Sequence, residues 1–406
     1  MTRPPKSRAP PCPVDFLTAD FTRDRIAGYR AIRQAGPLVW YRPARGFLVT
    51  GYRDTTSALR DQRLAEFDIF FDWRKLGPKL GRDYSQALEF FSYMPFRHEG
   101  QRHAQLRRAM ATGVAPYVGG HPAIRARIDR TLAGVVDDGG CDLANQFANF
   151  LFFDVMCDLL AIGEDERGFI KPIATMSRLL ESTLPLSHRN RFADHIGGYV
   201  GFLREHAARA LQRQEPGFFT GVHNALPADE PDKLKATAIL ATIILMMGND
   251  AIGGCISFPV DNLLSETDRQ GRPLVAQPSW AEISDDAIRF ASPVDLLTRV
   301  ATEDVEIVGC LVEKGETLIF SLICANHDPA EFGEWADSVT VKPNKETGIP
   351  FGAGSHLCVG NRLARVVVKE AYEALARLPQ MRISGDLVYG EGRVVRTIAS
   401  LPVEFN

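Results

Sequence analysis

Residues 351–360 constrain the possible fold and chemistry of this chain more than any other stretch does. They read Phe-Gly-Ala-Gly-Ser-His-Leu-Cys-Val-Gly, so that one cysteine, Cys358, follows a glycine-rich turn. Residues 361–378 have an amphipathic pattern that predicts a helix, whose amino-terminal partial positive charge favours ionisation of the Cys358 thiol. Glycines let the backbone approach a partner closely. A thiolate in such a loop suits a large planar cofactor bound through sulfur better than a small metal ion that needs several converging ligands.

Cysteine usage and charge argue against several other kinds of site and partner. The seven cysteines are scattered, and none of them forms a Cys-x-x-Cys pair, so neither a disulfide framework nor a zinc site is indicated. The net charge of -3 gives no general attraction to nucleic acid or to an anionic membrane. We therefore expect no nucleic-acid partner and no membrane association.

The domain organisation is predicted from composition. No Gly/Ser-rich or Pro-rich linker interrupts the middle of the 406 residues, which favours a single domain over residues 15–406. Residues 1–14 are rich in proline and basic side chains and lack the apolar core of a secretory signal. We expect them to form a disordered arm on a cytoplasmic protein.

The periodicity of the chain predicts a mainly α fold with one small β region. A helix is predicted over residues 24–34, and helical patterns dominate from about residue 50 to about residue 265. Strands are predicted over 38–41, 46–50, 299–313 and 317–321.

One predicted helix begins near Asp232 and contains a run, residues 236–247, that is apolar on every side. This composition is typical of a helix buried in a large core, and the run is too short to span a membrane. Gly248, Gly253 and Gly254 follow within the same helix. Glycine destabilises a helix, so we expect a close backbone approach or a deformation there.

The loop around Cys358 resembles the haem-binding loop of the cytochromes P450, whose pattern is Phe-Gly-x-Gly-x-x-x-Cys-x-Gly. All fixed positions are present, including Phe351, Gly352 and Gly360. A lone cysteine is more often a small core residue, but this many matched positions make that alternative a poor one. The resemblance implies a cytochrome P450 fold in which haem b lies between the central long helix and the cysteine loop. It also implies that Cys358 is the iron ligand and that the chain belongs to the bacterial type without a membrane anchor.

Further residues match positions that bind the haem propionates in the resembled family. His103 and Arg107 are four residues apart, so they share one face of a predicted helix. By itself this spacing would more often mark a solvated helix face. The resemblance also implies propionate contacts for Arg299 and His356.

The central helix departs from the family at the residues that deliver protons. The usual run is Ala-Gly-x-(Asp/Glu)-Thr, whereas this chain has Gly248, Asn249, Asp250 and Ala251 after Met247. The acid is kept but the alcohol is lost, so no side-chain hydroxyl is available at position 251. A substrate hydroxyl, a water molecule or Asn249 would have to replace it, unless the reaction does not need this path. Alternatively, Asp250 is an ordinary helix residue solvated at the bend.

A second departure concerns the family's Glu-x-x-Arg pair, which corresponds to Asp286 and Arg289 here. The shorter carboxylate is still able to pair with the arginine. The arginine that usually completes this network has no counterpart in residues 332–342. We therefore expect a weakened network, with consequences for stability and haem retention.

Substrate and electron partner are constrained less by the sequence. Pocket residues are expected in stretches 67–94, 176–186 and 292–297, although the aromatic residues of the first stretch are equally compatible with loop packing. A group of basic residues could surround the Cys358 face and attract an acidic electron carrier, or simply be solvated. They are Arg102, Arg108, Arg362, Arg365 and Lys369. No redox domain is fused, so we expect a separate ferredoxin and reductase.

The sequence thus predicts a haem-thiolate monooxygenase that oxidises a small organic molecule, in secondary metabolism, with non-standard proton delivery. Two alternatives stay open. One is atypical chemistry on the same fold, such as coupling, rearrangement, peroxide-driven or substrate-assisted oxidation or nitric oxide reduction, which Ala251 favours. The other is a haem-binding module without turnover, which the weakened acid–alcohol pair and the changed Asp286 pair together favour.

Overall fold

Helices account for most of the chain that the computed structural model describes, namely residues 9–16, 18, 21, 25–68, 70–136, 139–181, 184–264, 276–340 and 348–405. The α-helices are α1 (Arg25–Ala35), α2 (Tyr52–Ala58), α3 (Phe71–Leu80), α4 (Ser85–Phe91), α5 (Gly100–Val114), α6 (Pro122–Val136), α7 (Asn149–Leu159), α8 (Arg167–Ile170), α9 (Leu186–Gln212), α10 (Phe218–Ala225), α11 (Lys233–Leu264), α12 (Ser284–Ala291), α13 (Leu322–Asn326), α14 (Pro329–Phe332) and α15 (Asn361–Leu375).

Four small sheets accompany the helices in the described part of the chain. Their strands are β1 (Leu38–Tyr41), β2 (Gly46–Val49), β3 (Leu64–Glu66), β4 (Gly140–Asp142), β5 (Leu296–Ala301), β6 (Val305–Ile307), β7 (Cys310–Val312), β8 (Thr317–Ser321), β9 (Met381–Ile383), β10 (Val388–Tyr389), β11 (Ile398–Ser400) and β12 (Pro402–Phe405). The largest sheet has the order β1-β2-β8-β5-β3, and only its β2–β8 pair is parallel. The others are β4-β12-β9, β6-β7 and β10-β11.

The mainly α character and strands β1, β2, β5 and β8 of the first sheet agree with the sequence prediction. Strand β3 was not predicted, because it lies in a range expected to be helical, and the structure has four small sheets instead of a single β region. Strands β4 and β9 to β12 were not predicted. Each has two to four residues, which is too short for alternation of apolar and polar side chains to be visible in the sequence. Helix α15 also ends at Leu375, three residues before the predicted end.

Helix α11 forms the centre of the molecule, as its apolar run predicts. It packs against α7, α9, α10 and α12. With 32 residues it is longer than the run alone suggested, and its length and composition would allow it to cross a membrane. However, 78% of its most apolar window is buried inside the molecule, so this helix is explained by the core that it fills.

Part of the predicted N-terminal arm is paired with the first sheet. The Cys12 amide donates to the Trp40 carbonyl oxygen at 2.9 Å, and the Trp40 amide donates to that of Pro10 at 2.7 Å. The prediction of disorder is therefore wrong for residues 10–12, because β1 offers them backbone partners. Residues 1–8 lie outside the described part of the chain.

Candidate functional site

The loop before α15 presents Cys358. The Cys358 amide donates to the Phe351 carbonyl oxygen at 3.0 Å and so closes the loop. Gly352 and Gly354 have φ angles of +73° and +75°, a region that favours glycine. A Cβ on Gly354 would lie 2.5 Å from the backbone oxygen of Leu59. The glycine at 354 therefore serves close packing of the loop against the protein itself.

Cys358 is exposed in the structure. Desolvation raises the pKa of its thiol, while the backbone amides of Gly360 and Asn361 and the nearby Arg107 oppose the rise. The helix start thus favours the thiolate, as predicted, but does not outweigh desolvation. Coordination to iron would supply the missing stabilisation, because a coordinating thiol is deprotonated outright.

Helix α5 holds the cysteine loop through the two residues that the sequence placed on one face. His103 Nε2 lies 3.0 Å from the Ser355 carbonyl oxygen, and its Nδ1 lies 3.0 Å from that of Pro95. Arg107 donates a hydrogen bond to the Leu357 carbonyl oxygen. Both side chains therefore contact the loop that carries Cys358.

Arg299 and His356 meet beside the same loop, and a residue that the sequence analysis missed joins them. Arg299 on β5 is the cross-strand partner of Glu66 on β3, and their Nη2 and Oε1 atoms are 2.8 Å apart. His356 Nδ1 lies 3.8 Å from the same Glu66 oxygen. The His356 and His103 rings have centroids 4.4 Å apart. The predicted propionate ligands thus converge, and only the strand register, which the sequence does not reveal, places Glu66 among them.

This cluster fits the carboxylates of a haem. Arg299 is buried, and His356 Nδ1 is a buried atom with no hydrogen bond among the described residues. Burial raises the pKa of Glu66 to about 7, although Arg299 opposes the rise. The charge of Arg299 is therefore only partly balanced by protein, and a propionate would complete the balance while accepting from His356.

On the opposing helix α11, residues 247, 248, 250 and 251 are half-buried, whereas most of the helix is buried. Gly248 serves helix packing, because a Cβ there would lie 2.2 Å from the Phe152 ring on α7. Gly253 similarly faces Asn149 of α7 at 3.1 Å. The close approach expected at Gly248 and Gly253 is thus made by a neighbouring helix.

Asn249 is occupied by the protein itself. Its Oδ1 accepts from the Phe153 amide at 3.1 Å, and its Nδ2 donates to the Asn149 carbonyl oxygen at 2.5 Å and towards that of Ala174 at 3.5 Å. The side chain is completely buried. Asn249 is therefore not available to replace the missing alcohol.

Asp250 has a hydroxyl partner outside its own helix. Ser177, in the turn Ser177–Leu180 that precedes α9, donates a hydrogen bond to Asp250 Oδ2. Burial raises the pKa of Asp250, while the hydrogen bonds from Ser177 and Asn249 oppose the rise. From the sequence, Ser177 is predicted only as part of a stretch that lines the pocket, because nothing in the sequence pairs it with Asp250.

The pair formed by Asp286 and Arg289 is intact. Arg289 Nε donates to Asp286 Oδ1 at 2.6 Å, and its Nη2 donates to Oδ2 at 3.2 Å. The arginine also donates to backbone carbonyl oxygens of Asn326, Ala336 and Ser338 at 2.7 to 3.0 Å. Backbone carbonyl groups thus take the place of a third side chain. The expected effect on stability and haem retention stays a prediction.

The aromatic residues of stretch 67–94 divide into two groups. Phe70 and Phe91 stack with ring centroids 3.8 Å apart, and Phe91 stacks on Phe192 of α9 at 5.3 Å. Trp73 makes edge contacts to Phe91 and Phe192. Packing among α3, α4 and α9 therefore explains these buried rings. Phe67 and Phe71 are exposed instead.

Ion pairs reduce the positive charge expected near the cysteine face. Arg102 lies 2.6 Å from Glu230, Arg365 contacts Asp285, and Lys369 lies 3.6 Å from Glu373. Among the described residues, no ion pair involves Arg108 or Arg362.

Tyr372 joins the helix after Cys358 to the central helix. Its hydroxyl contacts the carbonyl oxygens of Cys255 and Ile256, each at 3.1 Å. Pro259 lacks an amide hydrogen, so the Cys255 carbonyl has lost its usual helical partner. Tyr372 therefore satisfies a carbonyl that the proline leaves free.

Comparison with known proteins finds similarity to one family. The family model described as "Cytochrome P450" matches residues 285–375. The chain is 27% identical to vitamin D(3) 25-hydroxylase of Pseudonocardia autotrophica, covering 96% of each chain. It is 25% identical to 6-deoxyerythronolide B hydroxylase of Saccharopolyspora erythraea, covering 97% of this chain and 98% of that one.

The fold also matches solved structures. The crystal structure of CalO2 aligns with a TM-score of 0.82 at 21% identity, covering 97% of this chain and 98% of that one. At such low identity the match concerns the fold alone.

Proposed function

The chain belongs to the cytochrome P450 superfamily, with haem b as its cofactor, and we propose that it oxidises a small organic molecule in secondary metabolism. Its activity is that of a P450 monooxygenase. Bound haem supplies activation of dioxygen, in which one oxygen atom enters the substrate and the other leaves as water, at the cost of two electrons and two protons. The two named relatives are hydroxylases, which supports a substrate oxidation of this kind.

The observation that carries this proposal is the accessible Cys358 in a loop held by His103 and Arg107. Cys358 would ligate the iron through sulfur. His103, Arg107, Arg299 and His356 would hold the propionates. Phe351, Gly352 and Gly360 would shape the loop around the ligand.

We further propose that proton delivery is non-standard. Asp250 is the only acid of the motif, and Ala251 has no polar side-chain atom. Asp250 would therefore hold the proton, and Ala251 would leave room beside the helix for a water molecule or a substrate hydroxyl. Proton transfer would then depend on groups other than the side chain of residue 251.

The proposed iron ligand is tested by spectroscopy. Purified protein reduced under carbon monoxide is expected to show the strongly red-shifted Soret band of a thiolate-ligated haem. The Cys358→Ser variant is expected to lose this band. A Cys255→Ser variant is a suitable control, because Cys255 is buried in α11 and lies outside the loop. Retention of the band in Cys358→Ser would exclude the proposed ligand.

Non-standard proton delivery is tested by restoring the alcohol. With a surrogate ferredoxin and reductase, we expect Ala251→Thr to change the share of reductant lost as peroxide by less than about threefold. A much larger decrease in peroxide would mean that the wild-type enzyme simply lacks an alcohol, and would count against a separate proton path.

A second candidate is atypical chemistry on the same fold, such as coupling, rearrangement, peroxide-driven or substrate-assisted oxidation, and Ala251 again favours it. A haem-binding module without turnover has less support, because the Asp286–Arg289 pair is intact. Peroxide-driven chemistry predicts product formation with hydrogen peroxide and no electron donor. The ordinary route predicts dependence on a reductant.

We propose a separate ferredoxin and reductase as electron donors. The proposal is supported by Arg108 and Arg362, which could attract an acidic carrier. Reversing both charges is expected to slow reduction most strongly at low salt. The cytoplasmic location expected from the sequence stays a prediction.

A further inference from the structure

The carboxyl group of Asp250 is bound by a segment that precedes α9. Ser177 is fully buried, with 1% of its surface exposed, and its hydroxyl donates to Asp250 Oδ2. Asp250 itself is only half-buried, so the hydroxyl contacts the carboxyl from the protein interior while part of the acid stays accessible. A serine hydroxyl both donates and accepts, which allows it to hold a carboxyl group in either protonation state.

The segment around Ser177 is itself anchored. The Ala174 carbonyl oxygen faces the Asn249 amide of α11 at 3.5 Å. On the other side of Ser177, Arg178 donates to Glu391 at 2.8 Å, and Glu181 accepts from the Arg393 amide at 2.8 Å. The position of the hydroxyl is thus fixed from both the central helix and the 388–398 hairpin.

Charged neighbours contribute little to the ionisation of Asp250. Desolvation raises its pKa, and only the uncharged Ser177 and Asn249 oppose the rise. Arg178 is adjacent to Ser177 in the chain, but its guanidinium pairs with Glu391 and lies 3.7 Å from Glu181. A single hydroxyl is therefore able to set much of the balance between the protonated and ionised acid.

We infer that Ser177 is a positioning residue for proton delivery, supplying to Asp250 the hydroxyl partner that Ala251 does not provide within the helix. The inference rests on the proposed function, in which Asp250 holds the proton. Ser177 orients the carboxyl group and stabilises its ionised form, so that the acid can give up a proton and recover one. It acts through Asp250 and does not need to touch the reacting atoms.

The test compares Ser177→Ala, Ser177→Thr and a control, Thr175→Ala, in the haem-loaded protein. Thr175 lies in the same segment, but its hydroxyl donates to the Pro172 carbonyl oxygen at an exposed position. The protonation of Asp250 is followed by infrared spectroscopy, as the carboxyl band that Asp250→Asn removes. The pH profile of reductant consumption is recorded with a surrogate ferredoxin and reductase.

We expect Ser177→Ala to move the Asp250 titration upward by about one pH unit, because a hydrogen bond to the carboxylate is lost. The pH profile should move in the same direction. Ser177→Thr should restore most of both changes, and Thr175→Ala should change neither. An unchanged infrared titration in Ser177→Ala, with a normal Soret band, would overturn the inference.

The same experiment separates this inference from the proposed function. If Asp250→Asn leaves the pH profile unchanged, Asp250 is not in the proton path and the proposed function fails at this point. If Asp250→Asn alters the profile whereas Ser177→Ala does not, only the role of Ser177 is excluded.

Discussion

Glu66 and Arg299 face each other across two strands, with a carboxylate oxygen 2.8 Å from a guanidinium nitrogen, in the cluster that would hold the haem propionates. The pair is mostly buried. Burial raises the pKa of Glu66 from its ordinary value of 4.5 to about 7. The acid therefore keeps a proton in the folded protein at pH values where it is ionised in the unfolded chain.

This difference predicts a pH dependence of stability. Between about pH 4.5 and pH 7 the folded state binds more protons at Glu66 than the unfolded state does, so the contribution of Glu66 decreases as the pH rises, by about 3 kcal/mol in total. Glu66→Gln mimics the protonated acid and should remove this decrease. Denaturant titrations at several pH values measure the free energy of unfolding of both proteins, and so this decrease.

A matched control for Glu66 is available in another sheet. Glu404 and Arg382 also form a cross-strand pair, with atoms 2.7 Å apart, but Arg382 is exposed and Glu404 is only half-buried. Glu404→Gln is expected to change stability by less than about 1 kcal/mol at every pH. Equal pH dependence in Glu66→Gln and the wild type would contradict the prediction for Glu66.

The second prediction concerns the buried Arg289 and its partner Asp286. Asp286→Ala would leave its charge without a carboxylate and should cost about 3–5 kcal/mol, with loss of bound haem. Asp286→Glu should retain most of the stability. The neighbouring Asp285 pairs with Arg365 on the surface, so Asp285→Ala should cost at most about 1 kcal/mol. Thermal unfolding and haem absorbance test whether Asp286→Ala is the more destabilising variant. Equal losses of stability and of bound haem in the two alanine variants would contradict the prediction.

The sequence allowed the Cys358 loop, the buried central helix and the shared face of His103 and Arg107 to be predicted, because each depends on spacing along the chain. Glu66 and Ser177 were missed for the opposite reason. Their partners are far away in sequence, and strand register or the path of a connecting segment brings them together. The carbonyl groups that support Arg289 were missed because backbone acceptors are present in every sequence.

The third prediction concerns the hydroxyl group of Tyr372. Its hydroxyl contacts the Cys255 carbonyl, which Pro259 leaves without a helical partner. Tyr372→Phe should cost about 1–3 kcal/mol, because a buried acceptor loses its donor. Tyr199→Phe is the control, since the Tyr199 hydroxyl has no hydrogen bond among the described residues. Denaturant unfolding measures both variants, and a difference of less than about 0.5 kcal/mol between them would argue against this role of Tyr372.

The last prediction concerns Gly354, where a side chain would be unfavourable for two separate reasons. Its φ angle of +75° is unfavourable for alanine, and a Cβ would lie 2.5 Å from the Leu59 backbone oxygen. Gly315 has a similar φ of +84° but nothing within 4 Å of a Cβ, so Gly315→Ala should cost only about 1–2 kcal/mol. Gly354→Ala should cost clearly more.

Because Gly354 lies four residues before Cys358, relief of this contact would also displace the thiol from its position. We therefore expect Gly354→Ala to lower the haem content of the purified protein, whereas Gly315→Ala should leave it unchanged. The ratio of Soret to protein absorbance measures this directly. If both variants bind haem equally, the contact with Leu59 does not position the loop, and the glycine is needed only for its backbone angle.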